Sequence, residues 1–489
     1  MKLLVTNILI SLLTINLSGQ NYIQKIFPDD PATGVFFGRF LGLSSQYAVI
    51  SAYLDFENGA NSGSIYVFKK EDNKFVQDKK LFPEDGKIEN YFGYSVGIYD
   101  DWIIAGSHHD SDFGASSGSA FMLKNNGDNW DFYQKLLPPD PAEADEFGNT
   151  VDIYGDFAIS CAYLDDDNGT NSGSVSIFKF DGNNWNFYQK ISPANPQAYS
   201  QFGVTLDIYK DKIIIGAPFK NDSQNATGCA YIFELENDNW IEKAELCPEF
   251  LNLNDQFSYF VKISDNEAFI SSIKDDEKAQ NAGAVYIYER NEDSKWEFGQ
   301  KIMAPDAQEG DAFGSAIDIQ DSLLFIGAYF DDDNGSNSGS MYIYKKTNGY
   351  WYFLIKVVPT DSDQSDAFGA SISVSGDDLL VGAYSDDDNG FFSGAAYLFS
   401  VGDILNSVST IENNINLYNI FPTIAQDFIF ANNEHEIFSY VIYDLNGHFI
   451  KKEENSTSSG IDISNLKQGM YVIRILDENK STNYKFIKI

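Results

Sequence analysis

The sequence predicts an all-β protein: a seven-bladed β-propeller followed by a small carboxyl-terminal β-sandwich. The first observation is a repeat. The dipeptide Phe-Gly recurs at Phe37-Gly38, Phe92-Gly93, Phe147-Gly148, Phe202-Gly203, Phe313-Gly314 and Phe368-Gly369, with Phe257-Ser258 as a seventh, imperfect copy. Successive copies lie 55, 55, 55, 55, 56 and 55 residues apart. The second is that each interval holds four short runs rich in Ile, Val, Phe and Tyr between Asp/Asn/Gly turns, the pattern of consecutive hairpins. Seven such units make a ring of blades. The third is a change of pattern after residue 400, where the repeat stops and a different strand-rich unit begins.

The elements follow in chain order. Residues 1–20 read as a secretory signal peptide: Lys2, an apolar run from Leu3 to Ile15, then small residues at Ser18-Gly19. That run is too short for a bilayer span, and no other stretch reaches the ~18 apolar residues needed. Residues 21–400 form the propeller. In the third copy the strands are Val151–Tyr154, Phe157–Tyr163, Ser174–Phe180 and Trp185–Ile191. Trp130, Trp185, Trp240, Trp296 and Trp351 open the fourth strand, with Phe75 in the first copy, and are expected to pack between blades. The one-residue insertion falls in the turn Asn291-Glu292-Asp293-Ser294. Fourth strands such as Tyr133-Gln134-Lys135-Leu136 have a lone copy, Ile23-Gln24-Lys25-Ile26, ahead of the first Phe-Gly, and none after the last. The amino-terminal strand should therefore complete the seventh blade, removing an open edge. Residues 401–414 read as a polar linker and residues 415–489 as the second unit, with strands at Ile437–Tyr443, Met470–Leu476 and Tyr484–Ile489.

Composition bounds the function. Lys plus Arg is 33 and Asp plus Glu is 72, a net charge of −39. Such a chain is repelled by nucleic-acid backbones and anionic membranes, so its small partners are cations. Cys161, Cys229 and Cys247 are too few for a disulfide framework and read as small buried side chains.

Acids recur in one loop of every repeat. Eighteen residues after the Phe stand Asp55, Asp110, Asp165, Asp275, Asp331 and Asp386, with Lys220 in the fourth copy. Two further on stand Glu57, Asp112, Asp167, Asp222, Glu277, Asp333 and Asp388, and a Gly follows at Gly63, Gly118, Gly173, Gly228, Gly283, Gly339 and Gly394. Two readings stay open. Alternating carboxylates in a Gly-bearing loop can converge on Ca2+. Asp and Asn can equally hold tight turns through their own backbone. His108 and His109, beside Asp110, read as loop variation, with a metal or ligand site as the alternative; the third-copy equivalents are Tyr163 and Leu164.

Phe-Gly, then Gly216-Ala217-Pro218 or Gly327-Ala328-Tyr329, then an Asp-rich loop resembles the FG-GAP repeat of integrin α-subunits. Residues 382–399 are closest to its bacterial branch. The resemblance implies a seven-bladed propeller with Ca2+ at Asp55, Glu57, Asp110, Asp112, Asp165, Asp167, Asp331, Asp333, Asp386 and Asp388. The runs Val441–Gly447, Ile461–Leu466, Gly469–Val472 and the terminal Lys485-Phe486-Ile487-Lys488 resemble the sorting domain of type IX secretion. That implies export to the cell surface or medium through this machinery. The chain has no phosphate loop or HExxH. The expectation is a non-enzymatic binding or adhesion propeller for an extracellular protein or glycan. The alternatives are a secreted hydrolase acting on a polymer such as polysaccharide, and a scaffold.

Overall fold

A computed structural model describes residues 16–20, 22–84, 86, 88–127, 129–222, 225–248, 255–414, 419–421, 424–425, 428–432, 437–444, 449–457, 461–467, 469–477 and 480–488. Residues 1–15 of the expected signal peptide and the turn at Asn446-Gly447 lie outside these residues. Asn16–Gln20 runs parallel to the outer strand of blade six, Tyr350–Pro359.

Seven antiparallel four-stranded sheets correspond to the seven repeats. Blade three is Phe147–Tyr154, Phe157–Ala162, Ser174–Phe180 and Trp185–Ile191 in that spatial order. Its first strand begins at Phe147, four residues before the expected Val151, because an irregularity separates Phe147 from Val151. Second strands are buried along all or nearly all of their length, as in Tyr47–Ala52 and Phe157–Ala162, with only Trp102 and Glu267 half-buried at the start of theirs, which is why their sequences are apolar runs rather than alternations. The longer hairpin in blade five pairs Arg290 with Trp296, where blade three pairs Phe180 with Trp185. The insertion therefore sits where the spacing put it.

The ring closes as expected. Gln24–Ile26 is the fourth strand of blade seven, paired as Gln24 with Leu398, Lys25 with Tyr397 and Ile26 with Ala396. The repeat signature lies at the seams between blades. The Gly ending each acidic loop has φ near +80° and a Cβ there would meet the Phe carbonyl of the next repeat, at 2.2 Å for Gly63 and Phe92 and 2.0 Å for Gly394 and Phe37. Only glycine allows that approach. Ser258, which replaces the second Gly of the signature, keeps a φ of 67°. Its hydroxyl donates to the Cys229 carbonyl at 2.7 Å and accepts from the Ala217 N–H at 3.1 Å.

Outer strands are clasped as well. Gln24 Nε2 donates to the Phe75 carbonyl at 2.8 Å, and the Phe75 N–H donates back to Oε1 at 2.9 Å. Gln134 with Trp185, Gln189 with Trp240 and Gln300 with Trp351 repeat this two-bond clasp. The tryptophans pack across the seams, Trp130 on Tyr47 and Trp240 on Phe157 at ring distances of 5.2 and 5.4 Å.

Two expectations are corrected. Residues 401–414 are an α-helix, Val401–Asn414, not an irregular linker. Val401, Ile404 and Val408 bury one face at helical spacing, and Ser400 Oγ accepts the Asp403 N–H at its start. The chain divides within it into two compact units, Met1–Ile404 and Leu405–Ile489. The cysteines are not three independent side chains: Cys229 and Cys247 form a disulfide, and Cys161 alone is free and buried.

The second unit is a sandwich of a three-stranded and a five-stranded sheet. Gly469–Asp477 lies between Ile437–Asp444 and Lys480–Lys488. Ile429, Tyr440, Ile442, Ile473, Ile475 and Phe486 fill its core.

Candidate functional site

The acidic loops hold a residue that sequence reasoning missed. In six blades a fourth-strand lysine reaches into the loop and sits between the two acids. Lys80 pairs with Asp55 and Glu57, Lys135 with Asp110 and Asp112, and Lys190 with Asp165 and Asp167. Lys301 pairs with Asp275 and Glu277, Lys356 with Asp331 and Asp333, and Lys25 of the closing strand with Asp386 and Asp388. Nζ–O distances run from 2.6 to 2.8 Å. Burial opposes the charge on Lys356 and Lys190, but the surrounding carboxylates outweigh it and raise both pKa values.

The inner Asp is engaged at both oxygens. Oδ1 of Asp165 accepts the Asp167 N–H at 2.8 Å, and Oδ1 of Asp331 the Asp333 N–H at 3.0 Å. These are local Asx turns. Oδ2 takes the lysine and a hydroxyl, from Ser174 at 2.6 Å in blade three and Tyr342 at 2.8 Å in blade six. Blade four carries the same pair with its charges exchanged. Lys220 stands at the Asp position and Glu245 at the lysine position, and the two form an ion pair.

Ca2+ takes 6–8 oxygen ligands. Here an ammonium occupies the point where the carboxylates converge, and both oxygens of the inner carboxylate already have partners. The donor set of Asp55, Glu57, Asp110, Asp112, Asp165, Asp167, Asp331, Asp333, Asp386 and Asp388 does not fit a resident divalent cation. It fits the turn-forming reading with an internal counter-ion added.

A different surface surrounds the central channel, a cavity of about 1110 Å³ lined by the first strands. Within it Lys262 pairs with Asp207 at 2.8 Å and Asp318 at 3.3 Å. Asp152, Asp207 and Asp318 each accept a backbone N–H from the next blade's first strand, at 3.0, 2.8 and 2.8 Å. These charges therefore brace the inner strands. Burial, then the Asp207 charge, raises the Asp152 carboxyl above its ordinary range.

At one mouth of the channel, aromatic side chains form a continuous crescent over blades six, seven, one and two. Tyr329 meets Tyr384, Tyr384 meets Phe36, Phe36 meets Tyr53, Tyr53 meets Tyr94 and Tyr94 meets His108, at centroid distances of 6.4, 5.7, 6.1, 5.3 and 4.2 Å. Arg39 lies 5.0 Å from the ring centres of both Phe40 and Tyr384. Phe391 and Phe330 are exposed, at 64% and 38%. Burial pushes the Tyr53 phenol up to about 12, so it stays a neutral donor and acceptor. Half-buried rings beside a guanidinium offer flat apolar faces and one bidentate donor.

Among the described residues no helix is long and apolar enough to cross a membrane. No curated protein matches the chain. The FG-GAP repeat family matches at residues 21–68, 75–123, 130–178, 185–233, 240–288, 296–344 and 351–399. The secretion system C-terminal sorting domain matches at residues 419–489. Seven matches over most of the length, on seven blades closed by the amino-terminal strand, show that the chain belongs to the FG-GAP repeat family and carries a type IX sorting domain that directs it to the cell surface or medium.

Proposed function

We propose that the protein is an exported binding propeller that grips an extracellular protein or glycan on its aromatic crescent, after an amino-terminal signal peptide has carried it out of the cytoplasm. The observation that carries this reading is the run of rings from Tyr329 to His108 with Arg39 set among them. Sugar faces and apolar side chains both stack on such platforms, and the guanidinium adds a site for carboxylates. This reading assigns the chain a binding role, with no catalytic step and no resident calcium. The repeating carboxylates are neutralised by lysines, which makes them poor acid–base pairs and favours binding over hydrolysis of an extracellular polymer.

The test is a glycan array and whole-cell binding with the full mature chain, its R39S variant and its Y384S variant. Binding that falls at least about tenfold in each variant, with unchanged circular dichroism, supports the crescent as the contact surface. Equal binding by wild type and both variants refutes it.

A further inference from the structure

One cluster at the end of the crescent departs from the repeat at three positions at once. His108 and His109 follow the second strand of blade two, where the other blades carry Tyr53-Leu54, Tyr163-Leu164, Pro218-Phe219, Ile273-Lys274, Tyr329-Phe330 and Tyr384-Ser385. Glu146 immediately precedes the Phe-Gly of blade three, where the other copies have Phe, Tyr, Gln or Ala. The fold brings the three side chains together, with one donor atom from each within 4.8 Å of the others. His109 Nε2 lies 3.7 Å from Glu146 Oε1.

Two further facts set this cluster apart from ordinary packing. His108 is 6% exposed, and its Nδ1 is buried without a hydrogen-bond partner. A buried ring nitrogen with no partner is costly, and a ligated ion would satisfy it. The surrounding groups also hold the set in place. Tyr163 donates to Glu146 Oε2 at 2.9 Å, leaving Oε1 on the His109 side. Tyr91 and Tyr94 pack on the His108 ring at 5.4 and 4.2 Å. Such supporting contacts are what orient metal ligands.

We propose that His108, His109 and Glu146 form a binding site for a divalent transition-metal ion of the Zn2+ class, at the blade two–blade three edge of the channel mouth. The donor chemistry selects the ion: two imidazoles and one carboxylate suit Zn2+ and its neighbours, whereas Ca2+ demands oxygen. The spacing is compatible. Ligands at ~2.0–2.2 Å in a tetrahedron lie roughly 3.4 Å apart. His109 and Glu146 are close to that separation, and both are partly exposed. The exposed side of His109 gives the ion a path from solvent. His108 also ends the crescent, so the metal site adjoins the surface assigned to the extracellular ligand.

The experiment is calorimetric titration of ZnCl2 into the chelator-treated full mature chain, repeated in excess CaCl2. One Zn2+ per chain is expected, unaffected by calcium. E146Q and H109A should each weaken binding by at least about tenfold. H108F keeps the aromatic packing and should do the same. H435A/H448A removes the two tail histidines and should bind as wild type. Failure of the folded wild-type chain to bind stoichiometric Zn2+, full binding by the H108F/H109A double variant, or loss of binding in H435A/H448A would each overturn the assignment.

Discussion

Replacing Lys356 by Met tests the internal counter-ion. Its side chain is 2% exposed and pairs with Asp331 at 2.7 Å, Asp333 at 2.6 Å and Asp306 at 3.0 Å. The Asp331 side chain is 3% exposed. Two oxygens held by one Nζ are at most about 5 Å apart, so without the ammonium their repulsion reaches about 3 kcal/mol at an effective dielectric of ~20. Breaking a buried ion pair by removing one partner costs about 3–5 kcal/mol, in line with that figure. K356M should therefore lower Tm by about 4–6 °C. It should also create a calcium dependence the parent lacks, because three carboxylates are left facing an empty seat. Calcium at a hundredfold excess over Kd would return about 2.7 kcal/mol. The assay is thermal melting by circular dichroism of both proteins in calcium, magnesium and chelator. The wild-type curve should be the same in all three, while K356M should be lowered and calcium should raise it. A wild-type Tm that rises with calcium and falls with chelator, or an unchanged K356M, would refute the reasoning.

Three further expectations can be checked on the same protein. Q24A removes both bonds of the clasp between the closing strand and Phe75 and should cost about 1–3 kcal/mol, measured by denaturant midpoint; no change would mean the clasp contributes nothing to closure. C229S opens an 18-residue separation bridged by the disulfide and should cost about 3 kcal/mol on the chain-entropy account, against no effect for C161S. Burial raises Asp311 and Asp366 to about 7 from an ordinary 3.8. An acid raised in the folded state keeps its proton while the unfolded chain loses it, so stability falls as pH rises from about 4 to about 7. D311N/D366N should flatten that part of the curve relative to wild type, as read by melts across pH; parallel curves would remove these carboxyls from the account.

Much of the architecture was legible because it repeats. Phe-Gly and the loop glycines mark backbone contacts between blades, so their spacing reports the ring directly, and the lone Ile23-Gln24-Lys25-Ile26 copy reports its closure. The lysine seat was hidden because it comes from another strand, 25 or 26 residues beyond the inner Asp in five blades and from the amino-terminal strand in the seventh, and emerges only once hairpin register is known. One signal was present: Lys220 and Glu245 exchange charge within a single repeat. The disulfide was readable in the same way, since pairing Ala230 with Leu246 places Cys229 opposite Cys247. The helix at 401–414 was hidden by its polar composition, although Val401, Ile404 and Val408 carry the helical spacing. The aromatic crescent draws on three repeat positions from four blades and has no local pattern in the sequence.

The seventh blade is built from both ends of the propeller, Gln24–Ile26 and Ala395–Ser400. Until residue 400 has been delivered, the amino-terminal strand has nothing to pair with, and the unfinished ring presents a sticky edge. The sorting domain follows that last strand in the chain. A chain cut short before blade seven therefore lacks its closing partner and its export address together. The address works as a receipt for complete synthesis: the outer-membrane machinery is offered only chains that already contain everything needed to close.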